Sequence, residues 1–406
     1  MNHTSFSSLA ALGFLLLAAV SPGQPNAQPA PQGKSRGDRI PGQYIVVLKD
    51  GVTPDAVSRR HGLVPEHVYS HALNGFAGAF TSRQLWALLA DPLVDWLEED
   101  QVVTIGAQSI QPGILRVAAD KNAKAKIDGN DERVNVDIAI IDTGISLKHP
   151  DLNVVKSVSY VTGTRNGNDD NGHGTHCAGI AAAVDNGTGV VGVAPGARLW
   201  AVKVLSKSGS GTMSGVIKGV DYVTSNASSI EVANLSLGGG DSAALKDAIA
   251  KSVAKGVVFV VAAGNSGVDA VATSPANSPV VLCVSATVDT DGMPGGLGKG
   301  STYGLDDTLA SFSNYGSVVD IAAPGVDIIS TYPGGYASMS GTSMAAPHVA
   351  GAAALYLAGT SKPTNALGVE AVRNAIISAG FVQAGPGGFT GDRDLSPEPL
   401  LNAGSL

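Results

Sequence analysis

Four short stretches carry side chains able to do chemistry on a carbonyl group. Asp142 closes the apolar run "VDIAIID" and is followed by Thr143 and Gly144. His173 lies between two glycines in "NGHGTHCAG", Asn265 follows a glycine in "VVAAGNSG", and Ser343 heads the small-residue stretch "SGTSMAAPHVAG". A hydroxyl becomes a useful nucleophile when a base takes its proton, and an imidazole does this best when a carboxylate fixes its tautomer. Ser343 falls where a helix is expected to start. Free N–H groups and the positive end of the helix would face its hydroxyl and suit a developing oxyanion. Asn265 offers a further donor. Pro347 is read as falling in the first helical turn, where its missing N–H matters little. Taken singly, each residue has a plainer use. Asp142 suits an N-cap or turn. His173 and His176 have metal-pair spacing, although the glutamate of an HExxH site is missing; His176 reads better as a structural residue.

Such a set needs a frame that brings distant residues together. After Ala107, apolar runs such as "VDIAIID", "RLWAVKVL", "VANLSL", "VVFVVAAG", "VVLCVSA" and "VVDIAAPG" alternate with helix-like segments, "HGTHCAGIAAAV", "SGVIKGVDYVTS", "AALKDAIAKSVAKG" and "TSMAAPHVAGAAALYLAG". Strands apolar on both faces and separated by helices imply an α/β fold built on a parallel sheet with helices on both faces. Functional groups then gather at the carboxyl ends of the strands. Before it, residues 43–106 read as a small α+β unit: "QYIVVLK", "FAGAFT" and "VDWLEEDQVV" as strands, "SRQLWALLA" as a helix with Ser82 as its N-cap. Residues 28–42 are Pro- and Gly-rich and read as a linker. Residues 1–27 contain the apolar stretch Leu9–Val20, of signal-peptide length, so export to the extracellular space is expected.

Composition narrows the classes. A net charge of -8 argues against nucleic-acid binding, and no apolar run reaches the 18 residues of a membrane anchor. Cys177 and Cys283 are the only cysteines, both in apolar or helical runs, and are expected as buried free thiols. A monomer is expected.

In the order Asp, His, Asn, Ser, the motifs "IIDTGI", "NGHGTHCAG", "LSLGG", "AAGNSG" and "SGTSMAAPHVAG" resemble those of the subtilisin-like serine peptidases, over residues 43–402. The resemblance implies a serine endopeptidase in which Ser343 attacks the scissile carbonyl and His173 moves the proton. Asp142 would orient His173, while Asn265 and the Ser343 N–H hold the oxyanion. Gly209, Ser210 and Gly211 on one side, and Ser236, Leu237 and Gly238 on the other, would pair with an extended peptide as added strands. Ala262, Ala263 and Gly264 would wall a specificity pocket, implying a broad preference for apolar or aromatic residues before the cut. "VDNGTGVVGVAPGA" resembles the family's calcium loop. The implied Ca2+ ligands are Gln108, Asp151 and Asn186, with the carbonyls of Val184, Thr188 and Val190. The turn "DTDG" (289–292) lacks a later acidic ligand and reads as a surface turn; the insertion over 289–308 has no assigned role. Residues 43–106 resemble the family's inhibitory prosegment, with maturation after Gly106, so the chain's partners would be peptide and protein substrates and its own prodomain. Cys177, four residues after His173, is similar to the thiol of the proteinase K-like branch, which implies sensitivity to mercurials.

Overall fold

The structure, a computed structural model, describes residues 39–71, 73–101 and 108–406. The expected leader, most of the linker and the junction after Gly106 lie outside the described residues. The chain divides into two compact units between Thr104 and Ile105.

In the first unit, strands β1 (Arg39–Leu48), β2 (His67–Tyr69), β3 (Gly75–Ala79) and β4 (Val94–Gln101) form an antiparallel sheet in the order β2-β3-β1-β4. Strand β1 starts at Arg39, so residues 39–42 are strand and not linker as expected. Helices α1 (Pro54–Arg60) and α2 (Ser82–Leu89) complete the unit, around a core that includes Val46, Val57, Phe76 and Leu88. The N-cap of α2 is Thr81 and not Ser82: Gln84 lies three residues beyond Thr81 and reaches back to its N–H at 3.0 Å, closing a capping box.

The second unit starts with α3 (Pro112–Arg116), followed by β5 (Asp137–Asp142), β6 (Val154–Ser159), α4 (His173–Ala182) and β7 (Arg198–Lys203). Next come α5 (Met213–Ser225), β8 (Val232–Leu235), β9 (Gly239–Gly240), α6 (Ala243–Val253), β10 (Val258–Ala262), β11 (Thr273–Ser274) and β12 (Leu282–Val288). The chain closes with β13 (Thr308–Leu309), β14 (Ile321–Pro324), a hairpin of β15 (Ile328–Tyr332) and β16 (Gly335–Met339), then α7 (Thr342–Ala358) and α8 (Ala366–Ala379). The main sheet runs β13-β12-β10-β8-β5-β7-β6, with β14 also on β12; its pairs are parallel except β12 with β13. The sheet is therefore mostly parallel, as expected, with one antiparallel pair at its edge. Helices α4 and α7 pack together on one face, α5 and α6 on the other.

Strands β5 and β12 are buried at every position, which is why they read as mainly apolar runs. Asp142 ends β5, the strand between β7 and β8. Helix α7 begins at Thr342, so Pro347 is its sixth residue and lies beyond the first turn where it was expected. None of the helices among the described residues is long and apolar enough to cross a membrane.

Candidate active site

The parallel sheet delivers Asp142 to its carboxyl edge, fully buried. Its Oδ1 accepts from His173 Nδ1 at 2.8 Å and from the Thr143 N–H at 2.6 Å, while Oδ2 has no hydrogen-bond partner among the described residues. His173 is the first residue of α4. Gly174 brings that helix end against β5: a Cβ there would stand 3.1 Å from the Asp142 Cβ and clash with the Gly144 carbonyl. Asp169 secures the same helix end by accepting from the N–H groups of Asn171, Gly172 and Thr175 and from the Thr175 hydroxyl. Burial pushes the His173 pKa down, but the charge and hydrogen bond of Asp142, helped by Asp169, outweigh it and leave the imidazole above its ordinary value.

Ser343 is the second residue of α7 and is half-buried. Its hydroxyl donates to the Ser236 carbonyl at 3.1 Å, a resting bond that the sequence does not announce. Asn265 is held by its oxygen, which accepts from the Thr342 N–H at 2.8 Å and the Thr342 hydroxyl at 2.9 Å. The Asn265 amide nitrogen is left over as a donor beside Gly341, where an added Cβ would stand 3.3 Å from it and 3.7 Å from the Ser343 nitrogen. The arrangement offers a base with a fixed tautomer, a hydroxyl, and donors for an anion at one strand edge.

A cleft of about 440 Å³ beside His173 is lined by Gly209, Ser210 and Gly211 and by Ser236, Leu237 and Gly238, with Leu205, Met213, Val216 and Leu245 supplying apolar surface. Both expected edges meet there. Ala262 ends β10 and Ala263 follows it, both buried; they and Gly264 lie outside the lining of this cleft. Gly264 is half-buried and donates to the Thr342 hydroxyl at 3.1 Å.

The six residues expected to supply cation ligands belong to one knot of hydrogen bonds. The Gln108 amide nitrogen donates at 2.9 Å to the carbonyls of both Val184 and Val190, so a positive-leaning group sits where those oxygens converge. Asp151 accepts from Asn186 at 3.1 Å, from the Val190 N–H at 3.3 Å and from the Tyr336 hydroxyl at 2.7 Å. Asn186 in turn accepts from the Thr188 N–H and hydroxyl. A set of neutral carbonyls, amides and one carboxylate is the donor chemistry of a hard cation.

The "DTDG" segment departs from expectation. Asp289 is buried, and the carboxylates of Asp289, Asp291 and Asp306 offer oxygens within 4.8 Å of one another. Asp306 thus comes close to the turn from later in the 289–308 segment. Burial raises the Asp289 carboxyl to about 7.

His176 is structural: its Nε2 faces the carbonyls of Ile328 and Ala337 at 3.0 Å each, tying α4 to the β15–β16 hairpin, and burial lowers its pKa to about 4. Both cysteines are free and buried. Cys177 has no exposed surface, so a mercurial has no open path to it in this structure. Two supporting residues escaped the sequence reading besides Asp169. Thr143 accepts the Gly174 N–H at 2.9 Å, and the buried Lys203 donates at 2.7 Å to each of the Thr143 carbonyl, the Leu205 carbonyl and Asp170. The charge inside "RLWAVKVL" was the available signal for Lys203.

Residues 134–392 match the subtilase family. The chain belongs to that family. Residues 43–106 of this subtilase match the peptidase inhibitor I9 family. It is 45% identical over 271 residues to an alkaline protease of Alkalihalobacillus alcalophilus, covering 66% of this chain and 65% of that protein, so the matched stretch spans just under two thirds of that relative's length. To subtilisin E of Bacillus subtilis it is 39% identical over 347 residues, covering 82% of this chain and 84% of that one. A crystal structure of a cold-adapted subtilisin-like serine proteinase matches with a TM-score of 0.57 at 36% identity, covering 72% of this chain and 97% of the other.

Proposed function

We propose that this subtilase is a secreted serine endopeptidase made as a self-processing zymogen. The observation that carries the reading is the 2.8 Å pair of His173 and Asp142 at the sheet edge, with a half-buried serine at the head of α7 and a cleft of about 440 Å³ beside His173. In the proposed mechanism, a substrate strand lies between residues 209–211 and 236–238. The Ser343 hydroxyl leaves the Ser236 carbonyl, gives its proton to His173 Nε2 and attacks the scissile carbonyl. Asp142 accepts the Nδ1–H throughout and stabilises the imidazolium. The Asn265 amide and the Ser343 N–H take the oxyanion. His173 then protonates the leaving amine, an acyl-enzyme remains, and water completes the cycle by the same route. Leu205, Met213, Val216 and Leu245 support a preference for apolar or aromatic substrate side chains.

The match of residues 43–106 to the peptidase inhibitor I9 family supports an inhibitory prodomain cut off after Gly106. For Ca2+, Gln108, Asp151, Asn186 and the carbonyls of Val184, Thr188 and Val190 would hold the ion, which would pin the 184–190 loop without entering the chemistry. Intact mass of wild type and Ser343→Ala, with casein hydrolysis, tests the function. The wild type is expected to trim itself near Ala107 and cleave casein, and the variant to stay full length and inert. Clean trimming of the purified variant would assign the processing to another protease.

A further inference from the structure

Proline at position 347 has a consequence four residues back. In a helix the N–H of residue 347 would bond to the carbonyl of Ser343, and proline has no N–H to give. A buried carbonyl without a donor is unfavourable, so the helix needs another partner for it. Two side chains supply one each. The Ser236 hydroxyl donates to the Ser343 carbonyl at 2.7 Å, and the Cys177 thiol donates at 3.3 Å. Both lone pairs of that oxygen are thereby used.

The two donors are themselves held. Asn234, fully buried in β8, donates from its amide to the Ser236 Oγ at 2.9 Å, which leaves the Ser236 proton to point at Ser343. Cys177 is fully buried, and burial pushes its thiol pKa up, so the sulfur keeps its proton. Cys177 stands one turn beyond His173 on α4, and Ser236 follows β8 directly on the substrate edge. The peptide of Ser343 is thus tied sideways to the helix that carries the base and to the strand that meets the substrate, where an ordinary helix would tie it only to itself.

We propose that Ser236 and Cys177 are positioning residues that jointly replace the missing helical N–H and set the orientation of the Ser343 peptide, and with it the aim of the hydroxyl and of the Ser343 N–H. This rests on reading Ser343 as the nucleophile. The arrangement makes a specific claim about rescue. Giving residue 347 an N–H should restore a donor to the orphaned carbonyl when the side-chain donors have been removed.

The test uses full-length chains carrying Ser236→Ala, Cys177→Val, both together, and both with Pro347→Ala, beside the donor-keeping Ser236→Thr and Cys177→Ser. The rate of Ser343 phosphonylation by a fluorophosphonate, kcat and KM for a peptide, and the melting midpoint are measured. Each donor-lacking single variant should lose about fivefold to tenfold in phosphonylation rate and in kcat, the pair about fiftyfold, with KM within about twofold. Cys177→Ser should stay near wild type, Ser236→Thr should lose less than Ser236→Ala, and Pro347→Ala should recover most of what the pair lost. Equal losses in donor-keeping and donor-lacking variants overturn the proposal, as does absence of recovery in a pair that melts like wild type. If the pair does not fold, the comparison between single variants decides. Phosphonylation of wild type at a residue other than Ser343 overturns the underlying reading as well, and that outcome needs no variant to recognise.

Discussion

Replacing Asp142 with asparagine keeps the shape of the side chain and removes its charge. One carboxylate oxygen serves both His173 Nδ1 at 2.8 Å and the Thr143 N–H at 2.6 Å. The Thr143 N–H therefore selects the amide oxygen for that shared position, and the imidazole keeps its proton on Nδ1. What disappears is the attraction between the carboxylate and the imidazolium that, in the proposed mechanism, forms as Ser343 gives up its proton. At 2.8 Å an effective dielectric of about 20 gives about 6 kcal/mol. The His173 side chain is 23% exposed, which trims this to about 4 kcal/mol, or roughly a thousandfold in kcat. The pH profile moves as well. In the wild type the charge of Asp142 outweighs burial and holds His173 above its ordinary value, so activity, which needs the neutral ring, rises with pH through a limb on the alkaline side of that value. Without the carboxylate, burial dominates and the limb moves to lower pH.

The stability sign is the reverse. A raised folded pKa adds stability below the unfolded value, and the gain is lost as pH rises through the folded value; the asparagine variant lacks this acid-side gain. Its new NH2 takes the place of Oδ2, where no partner is found, and costs about 1–3 kcal/mol. Peptide hydrolysis followed across the imidazole titration range, with melting curves, reads all three effects. A loss of activity under about tenfold, or an unmoved acid limb, would refute the reasoning.

Asn265→Ala should lower kcat by about a hundredfold to a thousandfold with KM little changed in peptide assays, a range that comes from the corresponding asparagine of a subtilisin and not from these distances. Burial, with help from Asp392, raises the Glu398 carboxyl to about 7, so its contribution to stability is full below the ordinary glutamate value and is lost as pH rises through 7. Glu398→Gln should therefore melt higher than wild type at alkaline pH, by roughly 3 kcal/mol at most, and the advantage should vanish in acid. Removing Ca2+ with a chelator should lower the melting midpoint, and Asn186→Ala should abolish the difference between Ca2+-loaded and chelated samples; calorimetry reads both. A bulky aromatic disulfide should leave the native chain unmodified and titrate both cysteines only in denaturant.

The apolar runs foretold β5, β7, β8, β10, β12 and β14 because strands buried on both faces admit almost nothing polar. The edge strand β6, with its pattern of exposed residues, gave no such signal, nor did the hairpin of β15 and β16. Asp142, His173, Asn265 and Ser343 each stand near a glycine at a strand or helix end, but it was their motifs taken together, through the resemblance to one family, that picked them out. Their support was harder to see, for it depends on chain returning from far away. Asp306 reaches Asp289 only after the insertion folds back, and Asp169 acts from a turn that reads as ordinary polar loop. Pro347 was misjudged by a few residues of helix register. That small error concealed why Ser236 and Cys177 converge on one carbonyl.

Mass spectrometric mapping of the adduct formed when the protein meets a fluorophosphonate, alongside casein hydrolysis, tests the account most directly. A single phosphonyl group on Ser343, with hydrolysis abolished in step, is the predicted result. Full labelling elsewhere, or labelled Ser343 with hydrolysis intact, would contradict it.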